Sequence, residues 1–234
     1  MPVHKPLYEF CKEVCGNLDS PGIALNVNMF VDYSGRETTV DQTRIEKEIG
    51  KINLKKKSIL HVGIGNSKFA EKFALEVDLI DGLTVSPYEK SKADSLHIRN
   101  YTVYLLNKYS REFASTISNK YDFIVDNNLA SFACCKYHFY LMLDNYLWSL
   151  KPNGKILTDQ RGMNWSINDH GWILTYADLV GLEDKFPVKV SQITPVVYAI
   201  EAIERGRPSR QDLCIYTINT PNGTGPLERR PIAI

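Results

Sequence analysis

The sequence predicts an α/β fold: a doubly wound, mainly parallel sheet with helices on both faces and antiparallel strands at its C-terminal edge. Three observations predict it. Short apolar runs alternate with helix-patterned segments from residue 58 to about 184. The first run, Ser58–Val62, stops at Gly63-Ile64-Gly65 and turns at once into a helix pattern. Two further runs, Val188–Ile193 and Val196–Ile203, are strand-like, with Pro195 at a break or edge. Repeated βα units make a parallel sheet because each crossover must lay a helix on a sheet face.

Each element has its own warrant. Ile45, Ile49 and Ile52 recur at helical spacing, which predicts a helix over 39–52. Lys55-Lys56-Lys57 is a solvated entry to the first strand, and a helix over about 67–76 follows the glycines. Leu79–Val85 is the second strand, and Ser86-Pro87 opens the next helix. Tyr101–Leu106 is rich in β-branched and aromatic residues and reads as the third strand. A helix over about 109–118 leads to a fourth strand, Asp122–Val125, and an amphipathic helix is expected over 136–150. Lys151-Pro152-Asn153-Gly154 is a turn signal before the fifth strand, Lys155–Thr158. A helix over 172–184 and a last strand over Leu213–Ile218 complete the pattern.

At 234 residues the chain suits one cofactor-binding domain, 55–218, preceded by a helical or lid-like segment, 1–54. Leu7–Val14 is a short helix candidate, and Asp19-Ser20-Pro21-Gly22 is a turn. Residues 219–234, rich in Pro, Gly and Arg, are expected to be loosely ordered. The hydrophobic fraction of 44% and charged fraction of 24% are those of an ordinary globular protein. A net charge of +1 provides no field for nucleic acid or an anionic membrane. The five cysteines are odd in number, and adjacent Cys134 and Cys135 do not form a disulfide framework, so a reducing cytoplasm is expected. The N-terminus lacks the apolar core of a signal peptide, and no apolar run approaches the ~20 residues that cross a membrane. The oligomeric state stays open, a homodimer included.

A strand ending in Gly-x-Gly before a helix presents bare backbone and helix-terminal amides to a nucleotide-like ligand. A dinucleotide turn needs a third glycine for close packing, and Lys68 stands there. With Val62-Gly63-Ile64-Gly65-Asn66-Ser67, the Tyr121-Asp122-Phe123-Ile124-Val125-Asp126 strand and Leu150-Lys151-Pro152-Asn153-Gly154-Lys155-Ile156-Leu157 in this order, the chain resembles class I S-adenosylmethionine-dependent methyltransferases over about 55–200. The resemblance implies a Rossmann-like fold and S-adenosylmethionine as cofactor. It assigns cofactor contacts to His61, Gly63, Gly65, Asn66, Ser67, Thr84, Asn107 and Asp126.

Three of these positions depart from the family. His61 stands where an acid usually precedes the first glycine. Thr84 replaces the acid that holds the ribose, with Asp81 the candidate if the register differs. Asn107 replaces an acid beside the adenine.

In the resembled fold, substrate lies above the ends of the first, fourth and fifth strands. Asp126-Asn127-Asn128 and Asp159-Gln160-Arg161 are therefore expected to face one another. Asp126 and Asp159 are the catalytic candidates, with His138 and His170 as bases that titrate near neutrality. Tyr33, Asn127, Asn128, Arg161 and Trp165 are the substrate-binding candidates, with Tyr33 on a lid and Trp165 stacking on a ring. A secondary reading places Mg²⁺ on Asp126, Asp159 and Gln160, imitating the metal-dependent members. The expected acceptor is a small hydroxylated molecule such as a sugar or secondary metabolite. No Asn/Asp-Pro-Pro-Tyr, a motif of amino-group methylation, follows strand four. The rivals are a degenerate binding subunit of the same fold and an NAD(P)-dependent oxidoreductase.

Overall fold

The computed structural model describes residues 32–110, 112–118, 120–131, 136–163, 174–203, 215–216 and 229–230. The expected helix at Leu7–Val14, the turn at 19–22, Cys134, Cys135, Trp165, His170 and most of the 219–234 tail lie outside them. So does the side chain of His138.

In chain order the elements are α1 (Val40–Ile49), β1 (Ser58–Val62), α2 (Lys68–Phe73), β2 (Leu79–Thr84), α3 (Pro87–Ser95), β3 (Tyr101–Leu105), α4 (Phe113–Thr116), β4 (Tyr121–Val125), α5 (Lys136–Ser149), β5 (Leu150–Asp159), α6 (Gln160–Met163), α7 (Tyr176–Val180), β6 (Val188–Gln192) and β7 (Val197–Ala202). The two short strands β8 (Ile215–Tyr216) and β9 (Arg229–Arg230) pair separately.

Seven strands form one sheet in the order β3-β2-β1-β4-β5-β7-β6. β1 to β5 pair in parallel, and β7 enters antiparallel between β5 and β6. The order reverses at β1, between β2 and β4. Ligands enter α/β sheets at such switch points, because neighbouring connections leave in opposite directions there.

Strand alternation divides the core in two. Leu60, Leu83, Ile124 and Ile156 face one side, where they pack with Phe139, Met142, Leu143 and Tyr146 of α5. Ile59, Ile80, Phe123, Val125 and Leu157 face the other, with Ile45 and Ile49 of α1 and Phe69 and Phe73 of α2.

Several local expectations are corrected. α1 stops at Ile49, and Ile52 lies beyond it, 39% exposed and outside the core. α5 is not amphipathic, for none of its residues from 139 onward is solvent-exposed; a helix buried all round loses its apolar stripe. The expected long helices over 109–118 and 172–184 shrink to α4 and α7. The Lys151–Gly154 turn is absorbed into β5. Tyr121 pairs with Leu150 but Phe123 with Lys155, so the segment bulges out, with Asn153 at φ 60°. No helix among the described residues is long and apolar enough to cross a membrane.

Candidate active site

A cavity of about 550 Å³ opens above the carboxyl ends of β1 to β4. Its floor is the glycine turn. Gly63 (φ +72°) and Gly65 (φ +50°) hold the left-handed backbone that glycine adopts without a Cβ penalty, and a Cβ on Gly63 would meet nothing within 4 Å. The backbone there is bare toward open space, as the sequence predicts.

Of the expected cofactor residues, His61, Gly63, Gly65, Asn66, Thr84, Asn107 and Asp126 all line the cavity. Ser67 does not. It is fully buried, its hydroxyl lies 3.2 Å from that of Tyr101, and its backbone takes the left-handed form (φ 61°) that starts α2. Asn66 is the hinge of the floor. Its Oδ1 accepts from the Lys68 amide, and its Nδ2 donates to Arg36 O and Thr38 Oγ1 on the segment above.

His61 is 2% exposed, packs against Phe69 with ring centroids 4.5 Å apart and the rings tilted by 36°, and has no hydrogen-bond partner on either ring nitrogen among the described residues. Burial pushes its pKa down to about 3, so it is a neutral imidazole. Asn107 is similar in kind. Its Oδ1 accepts from the Tyr109 amide, which fixes the amide orientation and leaves Nδ2 as a buried donor without partner.

Thr84 lines the cavity, yet its hydroxyl is committed. It donates to Glu89 Oε2 at 2.6 Å and accepts from the Ser86 amide. Glu89 is the carboxylate of this corner, supplied by the first turn of α3 instead of the tip of β2. It is 6% exposed, lines the cavity, and also accepts from the amides of Tyr33 and Gly65. Burial raises its pKa, against the pull of those bonds. Sequence reasoning missed it because Ser86-Pro87-Tyr88-Glu89 reads as a helix-capping pattern. Only half of the pattern forms: the Ser86 hydroxyl accepts from the Glu89 amide, while the Glu89 carboxylate turns to Thr84 and the glycine turn. Asp81, the alternative, is buried mid-strand and accepts from the Tyr121 hydroxyl at 2.6 Å, away from the cavity.

The two leading catalytic candidates do not face one another. Asp126 points to the α5 side of the sheet. It accepts from Lys108 Nζ (2.9 Å), the Tyr146 hydroxyl (2.9 Å) and the Asn128 amide (3.1 Å). Lys108 in turn donates to the carbonyls of Asn128 and Leu129. Burial lowers the Lys108 pKa, and the neighbouring Asp126 charge opposes that. Asp159 points to the opposite side, fully buried and outside the cavity lining. It pairs with Arg44 of α1 at 3.4 Å and accepts from the Arg161 amide at the start of α6. Period-two alternation thus carries the strand tips to opposite faces. With a lysine and an arginine on these carboxylates, Asp126, Asp159 and Gln160 do not form a metal site. Among the described residues no group of three or more His, Cys, Asp or Glu is arranged to hold one.

Tyr33, Asn127, Asn128 and Arg161 do line the cavity. The Arg36 guanidinium sits 4.9 Å over the Tyr33 ring. Gly162 lets α6 lie on the loop after β4, since a Cβ there would come within 1.9 Å of Asn127 O. The remaining wall comes from the 1–54 segment expected as a lid, through residues that the sequence did not single out. α1 contributes Asp41, Gln42 and Glu46, and residues 37–39 lie beside it. Asn127 Nδ2 donates to Asp41 Oδ2 at 2.6 Å, tying α1 to the β4 loop. Glu46 pairs with Lys72 and accepts from Gln42 Nε2, leaving Gln42 Oε1 buried without a partner. An acid in a helix's first turn was the available signal for both Asp41 and Glu89.

No protein-family model matches the chain, and no curated protein matches it. Solved structures do. The N-methyltransferase NodS from Bradyrhizobium japonicum WM9 superposes with a TM-score of 0.51 at 14% identity, covering 70% of this chain and 100% of that one. NodS in complex with S-adenosyl-L-homocysteine gives 0.52 at 11% identity, covering 85% and 99%. The DhpI–SAH complex gives 0.50 at 11% identity, covering 70% and 84%. The chain therefore has the class I methyltransferase fold, as its strand order and switch-point cavity independently define it. At these identities the likeness is one of fold.

Proposed function

We propose that this protein is an S-adenosylmethionine-dependent methyltransferase acting on a small-molecule acceptor, at oxygen. One observation carries the reading. The cavity over the glycine turn is lined by residues with buried polar atoms that no described residue satisfies: both His61 ring nitrogens, Asn107 Nδ2 and Gln42 Oε1. Buried polar groups are nearly always paired, so unpaired ones gathered around one cavity mark a ligand site.

The residues present fit the cofactor. Gly63 and Gly65 leave the backbone open to close approach. Asn107 offers a donor where a base edge would lie. Glu89 offers a carboxylate at the β2 corner, where ribose hydroxyls would donate. When bound, the cofactor supplies a methyl group on a sulfonium sulfur; transfer to oxygen releases the acceptor's proton and leaves a neutral thioether.

The chain's own task is to align the acceptor and exclude water, which accounts for much of the barrier reduction in such displacements. The segment from Tyr33 to Thr39 suits the second task. It latches to Asn66 and Glu89 on the cavity floor. The hydroxyl preference is supported by the absence of Asn/Asp-Pro-Pro-Tyr after β4 and by a carboxylate, Asp41, beside the cavity.

Calorimetry with S-adenosylhomocysteine, followed by transfer of labelled methyl to a panel of small hydroxylated and amino compounds, tests the reading. Binding in the micromolar range and labelling of a hydroxylated compound are expected. Labelling confined to tRNA or protein would sink the small-molecule assignment. Absence of any heat would favour the degenerate binding subunit, and heat with NAD(H) instead would favour the oxidoreductase.

A further inference from the structure

Resting on the methyl-transfer reading, we propose that Asp41 is the catalytic carboxylate of this site: its Oδ1 receives the hydrogen of the acceptor hydroxyl and takes up the proton released on methylation.

The buried carboxylates lining the cavity differ in how the protein answers them. Asp126 has Lys108, the Tyr146 hydroxyl and an amide. Glu46 has Lys72 and Gln42. Glu89 has Thr84 and two amides. Asp41 is 5% exposed and has one protein donor among the described residues, Asn127 Nδ2 on Oδ2. Among the described residues no cation pairs with it. With Oδ2 held by Asn127, Oδ1 is left to a donor from the cavity that Asp41 lines.

A second observation points the same way. Gln42 Oε1, on the adjoining residue, is a buried acceptor with no partner among the described residues. This stretch of wall therefore presents acceptors, which match the O–H groups of a polyhydroxylated acceptor. The Asn127 bond fixes the Asp41 carboxylate and directs its free oxygen. It also ties α1 to the loop after β4, the edge over which substrate lies in α/β sheets. The proton balance closes within the site: the hydroxyl loses it to Oδ1, and Asp41 returns it to water as product leaves.

The test uses the full chain and two probes that differ only at the reacting centre. S-adenosylhomocysteine has a bare thioether. Sinefungin carries an ammonium-bearing carbon in place of the methylated sulfur, so its extra charge reports on whatever faces the transferred methyl. Wild type is expected to prefer sinefungin. Asp41→Asn should weaken sinefungin severalfold, the loss expected for an opposite charge one acceptor atom away, and leave S-adenosylhomocysteine within about twofold. Asn127→Ala, which frees the carboxylate to turn, should weaken sinefungin selectively by a smaller factor. Retained S-adenosylhomocysteine binding shows that each variant is folded. Equal losses for both probes would place Asp41 on the amino-acid tail and overturn the proposal, as would no loss for either. If wild type binds neither probe, the cofactor reading itself fails, an outcome distinct from unaltered selectivity in a chain that binds both.

Discussion

At the amino ends of the strands, Asp122 accepts from Lys151 (2.6 Å), Lys57 (2.9 Å) and the Ser58 amide (2.9 Å). At the carboxyl ends, around the cavity, Asp41 has a single donor among the described residues, and His61, Gln42 and Asn107 keep buried atoms without partners there. Both rims are polar and both belong to one sheet. The amino rim answers its own charges and reads as structure. The cavity rim leaves hydrogen-bonding capacity open, at a cost of roughly 1–3 kcal/mol for each unmade bond. Stability alone does not account for that cost, whereas a ligand does. The same contrast sorts the catalytic candidates. Asp126 and Asp159 are paired with Lys108 and Arg44, while Asp41 has no cation partner among the described residues.

Severing a saturated pair is the strongest way to break this comparison. Lys108→Met leaves Asp126 buried without its cation, and we expect a loss of about 3–5 kcal/mol in urea unfolding. A loss under 1 kcal/mol would place Asp126 with the open groups.

An open group should behave in the opposite way. His61→Leu removes two unpartnered nitrogens and keeps an apolar contact with Phe69. It is expected to raise stability by about 1 kcal/mol while weakening S-adenosylhomocysteine binding, read by thermal melting and calorimetry. A fall in both would show that His61 already has what it needs from the protein.

The smallest effects come from two carboxylates with opposite shifts. Burial would raise the Asp122 pKa, but bonds from Lys151, Ser58 and Lys57 outweigh it and hold it below its ordinary 3.8. Its contribution is present above that value and lost as pH falls through the depressed one. Glu89, raised by burial from its ordinary 4.5, contributes fully below 4.5 and loses that contribution as pH rises through the raised value. Asp122→Asn should therefore lower stability at pH 7 by under about 1 kcal/mol and flatten the acid limb. Glu89→Gln should raise stability at pH 7 and remove the decline above 4.5. Melting curves from pH 3 to 8 check both, and slopes of the same sign would refute the contrast.

Much of the fold was legible because its signals are local. β1 to β4 stand within a residue or two of their expected bounds, since short apolar runs between turn residues need no distant information. The glycine turn was legible because positive φ restricts the residue type. α5 was misjudged in its environment, because burial on every side depends on what packs against a helix. The site was legible only along the strand tips. Glu89 was hidden by a capping pattern that its side chain abandons for Thr84, and Asp41 by its place on a helix ahead of the sheet. Trp165 and His170, expected at the site, lie outside the described residues.

The sequence by itself determined the βα alternation, the glycine turn that opens the cavity floor, and the residues offered at each strand end. Tertiary structure alone decided which carboxylates are answered. Whether an aspartate meets Lys108, Arg44 or the cavity depends on the sheet face it projects from and on the helix packed there. Strand pairing between residues far apart in the chain sets both.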